Sequence, residues 1–98
     1  MAHLIVIYWR DIPAQVIVKQ GRLVAKRHLS ERFEVAMAKA AMAAKLGDSD
    51  SFLAEWRRTE PAPCGDDLEV EAAAAAARLE ADYDNELLDR LIASGGRA

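Results

Sequence analysis

LSERFEVAMAKAAMAAKL, residues 29 to 46, is the stretch whose reading decides the fold. At about 100° per residue, Phe33, Ala36, Met37, Ala40 and Ala44 fall on one stripe, while Val35, Met42 and Leu46 form a second stripe roughly opposite. Two apolar stripes predict a central helix with a partner on each side, and so burial of Val35, Met42 and Leu46 as well as Met37. Ser30 stands where an N-cap belongs, Glu31 and Glu34 follow near the positive end of the helix dipole, and Gly47 supplies a stop after Lys45.

Upstream of this helix the chain reads as β structure. His3 to Tyr8, HLIVIY, is β-branched and aromatic with no helical period and almost no polar interruption, the pattern of a strand buried on both faces. Asp11-Ile12-Pro13 predicts a bend, because proline fixes φ and pushes Ile12 toward extended backbone. Gln15 to Lys19 and Leu23 to His28 read as a hairpin, with Gly21 able to take the positive φ that a tight turn requires. Downstream, Asp48 or Ser49 can cap a short second helix carrying Phe52, Leu53 and Trp56. Two prolines and a glycine mark Thr59 to Asp67 as a linker. Leu68 to Ser94 is helical by propensity, with a potential break between Asp82 and Asn85. The order of elements predicts an α+β fold: a small antiparallel three-stranded sheet followed by three helices packed on one side.

Ninety-eight residues make one domain, residues 1–98, with a β-β-β-α-α part over 1–58, a linker over 59–67 and a C-terminal helix over 68–94. A single cysteine excludes an internal disulfide framework and suits a reducing compartment. The opening MAHLIVIYW is too short for a membrane span and lacks a basic leader, so the expected location is the cytoplasm. Residues 1–58 carry ten Lys/Arg against six Asp/Glu, and residues 59–98 carry three against ten. That polarity of +4 against −7 can draw the halves together or orient the protein on a partner.

Residues able to do chemistry do not form a catalytic constellation. Cys64 precedes a helix start, which favours a thiolate, but Asp66 and Asp67 oppose one and no histidine is near in sequence. The carboxylates of Asp66 to Glu71 and Asp82 to Asp89 lack the spacing of a calcium loop and already have a role at helix starts. His3 and His28 are isolated, and no glycine-rich phosphate loop exists, so no metal or cofactor is expected. The distinctive residues are instead Trp9-Arg10, with Ile12 just beyond, and Trp56-Arg57-Arg58. Each group puts a large amphipathic ring beside a guanidinium at the end of an element, as interface anchors do, although the indoles can equally close the ends of a core.

Tyr8-Trp9-Arg10-Asp11-Ile12-Pro13-Ala14-Gln15-Val16, Leu29-Ser30-Glu31-Arg32-Phe33, Ala40-Ala41-Met42 and Ser51-Phe52-Leu53 to Trp56-Arg57-Arg58 resemble the small bacterial proteins of the virulence factor domain family, whose module is also found in proteins of the conserved virulence factor C type. The resemblance covers about the first three fifths of the chain. It transfers no catalytic residue, and it implies association with folate- and corrinoid-dependent methyl-transfer enzymes. The reading is therefore a non-enzymatic accessory or interaction module, with a protein partner contacted through Trp9, Arg10, Ile12, Trp56, Arg57 and Arg58. A homo-oligomer is compatible with it. The alternative is a small enzyme subunit holding an anionic substrate, such as a folate tail, through Arg10, Arg57 and Arg58. Nucleic-acid binding through Lys19, Arg22, Lys26 and Arg27 is opposed by the acidic C-terminal part.

Overall fold

The computed structural model describes all 98 residues. Strands β1 (Ala2–Trp9), β2 (Ile12–Gln20) and β3 (Leu23–His28) precede helices α1 (Glu31–Ala43) and α2 (Ser49–Leu53). Two short strands, β4 (Trp56–Arg58) and β5 (Ala62–Cys64), lead into α3 (Leu68–Asp82) and α4 (Asn85–Ala93). The fold is α+β with an antiparallel sheet, but the sheet has five strands and the helices number four.

Both extra strands pair with β1. Trp9 lies opposite Trp56 and Ile7 opposite Arg58, while Ala2 lies opposite Cys64 and Leu4 opposite Ala62. Trp56 therefore belongs to a strand and not to the second helix, which ends at Leu53. The proline-rich stretch is likewise no simple linker, because an edge position tolerates Pro63 without a backbone donor. The bend expected over Asp11-Ile12-Pro13 falls slightly earlier, at Arg10-Asp11. β2 starts at Ile12, a two-residue turn of Arg10 and Asp11 joins it to β1, and Pro13 lies opposite Tyr8 beside a register shift between Ile7 and Tyr8. The other hairpin is as expected, with Gly21 at φ +61.

Alternation assigns the faces of the sheet. Ala2, Val16, Val18 and Ala25 point to one side, where Ala72 and Ala75 of α3 lie against them. Alanine on both surfaces lets the helix approach closely, which explains the alanine tract as a packing face. A second cluster joins Trp9, Ile12 and Leu29 to Phe33, Met37 and Ala40 of α1 and to Leu88 and Leu91 of α4.

This second cluster corrects the two-stripe reading of α1. Phe33, Ala36, Met37, Ala40 and Ala41 are buried, but Val35 is 42% exposed and Met42 77% exposed, and Leu46 is half-buried. Only one stripe has partners, and α4 meets that same stripe. Leu46 owes its partial burial to the helix end: Lys45 takes φ +61, and the Lys45 and Leu46 amides donate to the Met42 and Ala41 carbonyls in a Schellman motif. Lys45, not Gly47, thus ends α1. The C-terminal helical stretch does break, between Asp82 and Asn85, and Asp84 caps α4 by accepting from the Leu87 amide at 2.8 Å.

Candidate functional site

The six residues expected to form a contact surface separate into three environments. Trp9 and Ile12 lie inside the second cluster with no accessible surface. The Trp9 indole stacks on Phe52 at 5.1 Å, and its Nε1–H donates to the Phe52 carbonyl at 2.9 Å. A buried indole with its one donor satisfied is a core element.

Arg10 is a structural tie. Its backbone has φ +52, its Nη1–H donates to the Gly95 carbonyl at 2.9 Å, and its Nη2–H meets Glu55 Oε1 at 3.1 Å. With 11% of its side chain exposed, Arg10 joins the β1–β2 turn to the segment after α2 and to the end of α4. Removing it therefore costs stability, contrary to what an exposed contact arginine would do. Arg57 points to the α3 side, opposite Tyr8. Its guanidinium sits 4.5 Å from the Tyr8 ring centroid, its Nε–H donates to the Arg10 carbonyl, and its Nη2–H reaches Asp11 Oδ1 at 3.1 Å.

Trp56 and Arg58 occupy the third environment, the sheet face away from α3. Residues adjacent along a strand point to opposite sides, so Arg58 and Arg57 diverge. The three arginines do not converge on one anion. Trp56 is 38% exposed, meets Phe52 edge-on at 6.2 Å, and borders a shallow cavity of about 150 Å³ with Gln15, His28 and Glu34. Arg58 is exposed and makes no ion pair.

Other reactive groups are turned away from chemistry. Burial, and then the Glu71 and Asp66 carboxylates, push the Cys64 thiol above its ordinary value, so it is poorly nucleophilic. Nowhere do three His, Cys, Asp or Glu side chains converge as a metal site. No helix is long and apolar enough to cross a membrane.

A family model described as "Virulence factor" matches residues 7–92. The chain belongs to the virulence factor family. The match extends well beyond the first three fifths of the chain, so the alanine-rich, acidic helices α3 and α4 are part of the family domain. No curated protein and no solved structure matches the chain.

Sequence reasoning did not bring together the side chains of the sheet face opposite α3. They come from five strands that only the register brings together: His3 lies beside Lys19 and Pro63, Ile5 beside Ile17, Ile17 beside Lys26, and Ile7 beside both Gln15 and Arg58. The signal available was the double-sided apolarity of HLIVIY, which asks for cover on both faces.

Proposed function

We propose that this virulence factor family member is a non-enzymatic interaction module, and that its contact surface is the sheet face carrying Trp56 and Arg58. The supporting observation is that α3 covers one face of the sheet while α1 lies against only the Trp9, Trp56 and His28 end of the other, with Trp9, Arg10 and Ile12 committed to the interior and Arg57 to the Tyr8 and Asp11 cluster. Trp56 is a partly exposed indole and Arg58 an unpaired guanidinium two residues on, and tryptophan and arginine are both enriched among interface hot spots. The resemblance to modules near folate- and corrinoid-dependent enzymes makes a methyl-transfer enzyme the first partner to try.

The test is affinity purification from the native host with tagged wild type, Trp56→Ala and Arg58→Ala. Circular dichroism shows first that each variant is folded. At least one copurifying protein is expected to be lost or reduced about tenfold in both variants, as for removal of an anchor. Retention of every partner by both folded variants overturns the assignment of this surface.

A further inference from the structure

Resting on that surface assignment, we infer that the occupant of the sheet face opposite α3, beside α1, is an acidic amphipathic segment of a partner protein, with an apolar stripe bordered by carboxylates.

Charge is the first ground. None of the five strands contains an aspartate or glutamate. On the open face, Lys19, Lys26 and Arg58 stand with His3 and His28 around the apolar residues and only Glu34 of α1 opposes them, at the Trp56 end, whereas the Glu and Asp residues of α3 are carried on the opposite side of the sheet. The chain is acidic in total, yet this face is cationic. Opposite potentials favour an anionic occupant and penalise a second copy of the same face, which would set lysine against lysine.

The apolar centre is the second ground, and it separates a protein from a nucleic acid. Ile5 and Ile17 lie side by side at 4% and 8% exposure, with Lys26 next to Ile17 in the register. Ile7 and Val24 continue the apolar surface, and Val24 is exposed. Bases need aromatic platforms, and the only aromatic on the open part of this face is Trp56 at its margin. Isoleucines instead suit leucine-like side chains. An incoming helix would swing the lysine and arginine heads outward onto its carboxylates and form the second cover that the sequence of β1 asks for.

The full chain, labelled with ¹⁵N, is titrated with an acetylated helical peptide of about 18 residues that has leucines at helical spacing flanked by glutamates. Parallel titrations use the same peptide with lysines in place of glutamates, and a single-stranded oligothymidylate. The acidic peptide is expected to shift the amides of Ile5, Ile17, Lys26 and Arg58, and the folded double variant Lys26→Glu, Arg58→Glu to bind it at least about tenfold more weakly. The inference is overturned by equal binding of the lysine peptide, by unchanged affinity of the charge-reversed variant, by shifts confined to α3 and α4, or by no shifts at all. Oligothymidylate shifting this face in place of the peptide overturns the acidic partner but leaves the surface standing. Concentration-dependent shifts of the same amides without peptide assign the face to self-association and also overturn it. Loss of the surface itself is read separately, from the Trp56 and Arg58 copurification.

Discussion

Glu80 of α3 caps α1 from 50 residues away: its Oε2 accepts the Ser30 backbone N–H at 2.6 Å, and its Oε1 accepts the Ser30 hydroxyl at 2.9 Å. Ser30 has the extended backbone of an N-cap but makes no side-chain cap of its own; its hydroxyl is turned to Glu80, whose carboxylate takes the Ser30 N–H as the acidic member of a capping box does. Arg32 completes the junction, donating to Glu80 Oε1 at 3.1 Å and to the Glu80 carbonyl at 2.6 Å.

Glu80→Ala should therefore destabilise the protein by about 1 to 2 kcal/mol at neutral pH, the range for loss of a helix cap with a charged hydrogen bond. Partial burial raises the Glu80 carboxyl, but the bonds from Ser30 and Arg32 outweigh it and hold the group below its ordinary value. A lowered folded value means stability that is present above the ordinary carboxyl range and is lost as pH falls through the folded value. Urea denaturation of the wild type and Glu80→Ala should show a difference at neutral pH that shrinks on acidification. A constant difference would show that the carboxylate charge plays no part.

Tyr83 makes the opposite prediction at high pH. Burial, and then the neighbouring Tyr8 and Asp11, push its hydroxyl from 10.0 to about 12, against the lowering influence of Arg57. Because the folded value is the higher one, the contribution is complete below the unfolded value and disappears as pH rises toward the folded value. Thermal midpoints should fall between pH 10 and about 12 more steeply in the wild type than in Tyr83→Phe, which keeps the ring against Phe33 at 6.3 Å. Equal slopes would place the alkaline transition elsewhere.

What was legible in the sequence is what local chemistry controls. Gly21 and the hairpin, Asp48 as a cap and the break before Asn85 all follow from backbone preferences of a few adjacent residues. The misreadings arise where a distant element decides the outcome. WRR and APC are too short to show a period, and they become strands because β1 offers both of them a free edge. Val35 and Met42 were expected inside because apolar periodicity records which residues could be covered, not how many partners arrive. The candidate site divides in the same way. Trp-Arg steps are visible in sequence, but Trp9 and Trp56 are cross-strand partners that both meet Phe52, and what buries one and leaves the other partly exposed is where α1, α4 and the C-terminal loop pack.

That distinction gives a prediction for α1. Met37→Ala, in the cluster with Phe33 and Leu88, should cost about 2 to 5 kcal/mol. Met42→Ala, at a site 77% exposed, should change stability by no more than about 0.5 kcal/mol. Chemical denaturation of the two variants would show comparable losses only if α1 presented its other side to the core.

Two glycines at positive φ give the last prediction, because their surroundings differ. Gly21 has φ +61 and open space around the position of a β-carbon, so Gly21→Ala should cost about 1 kcal/mol, the backbone term alone. Gly96 has φ +91, and a β-carbon there would lie 2.8 Å from Trp9 Cζ3 and 3.4 Å from Arg10 Cβ. Its carbonyl accepts from the Asp11 amide at 2.8 Å, and the neighbouring Gly95 carbonyl accepts from Arg10, so the loop after α4 is held against the β1–β2 turn and cannot simply retreat. Gly96→Ala must then displace a fully buried indole that is stacked on Phe52 and bonded to its carbonyl, adding an overpacking cost of about 1 to 3 kcal/mol to the backbone term. Guanidinium unfolding should rank Gly96→Ala well below Gly21→Ala in stability, with a changed tryptophan emission in the Gly96 variant alone. Equal stabilities and unchanged emission would mean that the C-terminal loop does not seal Trp9 in solution.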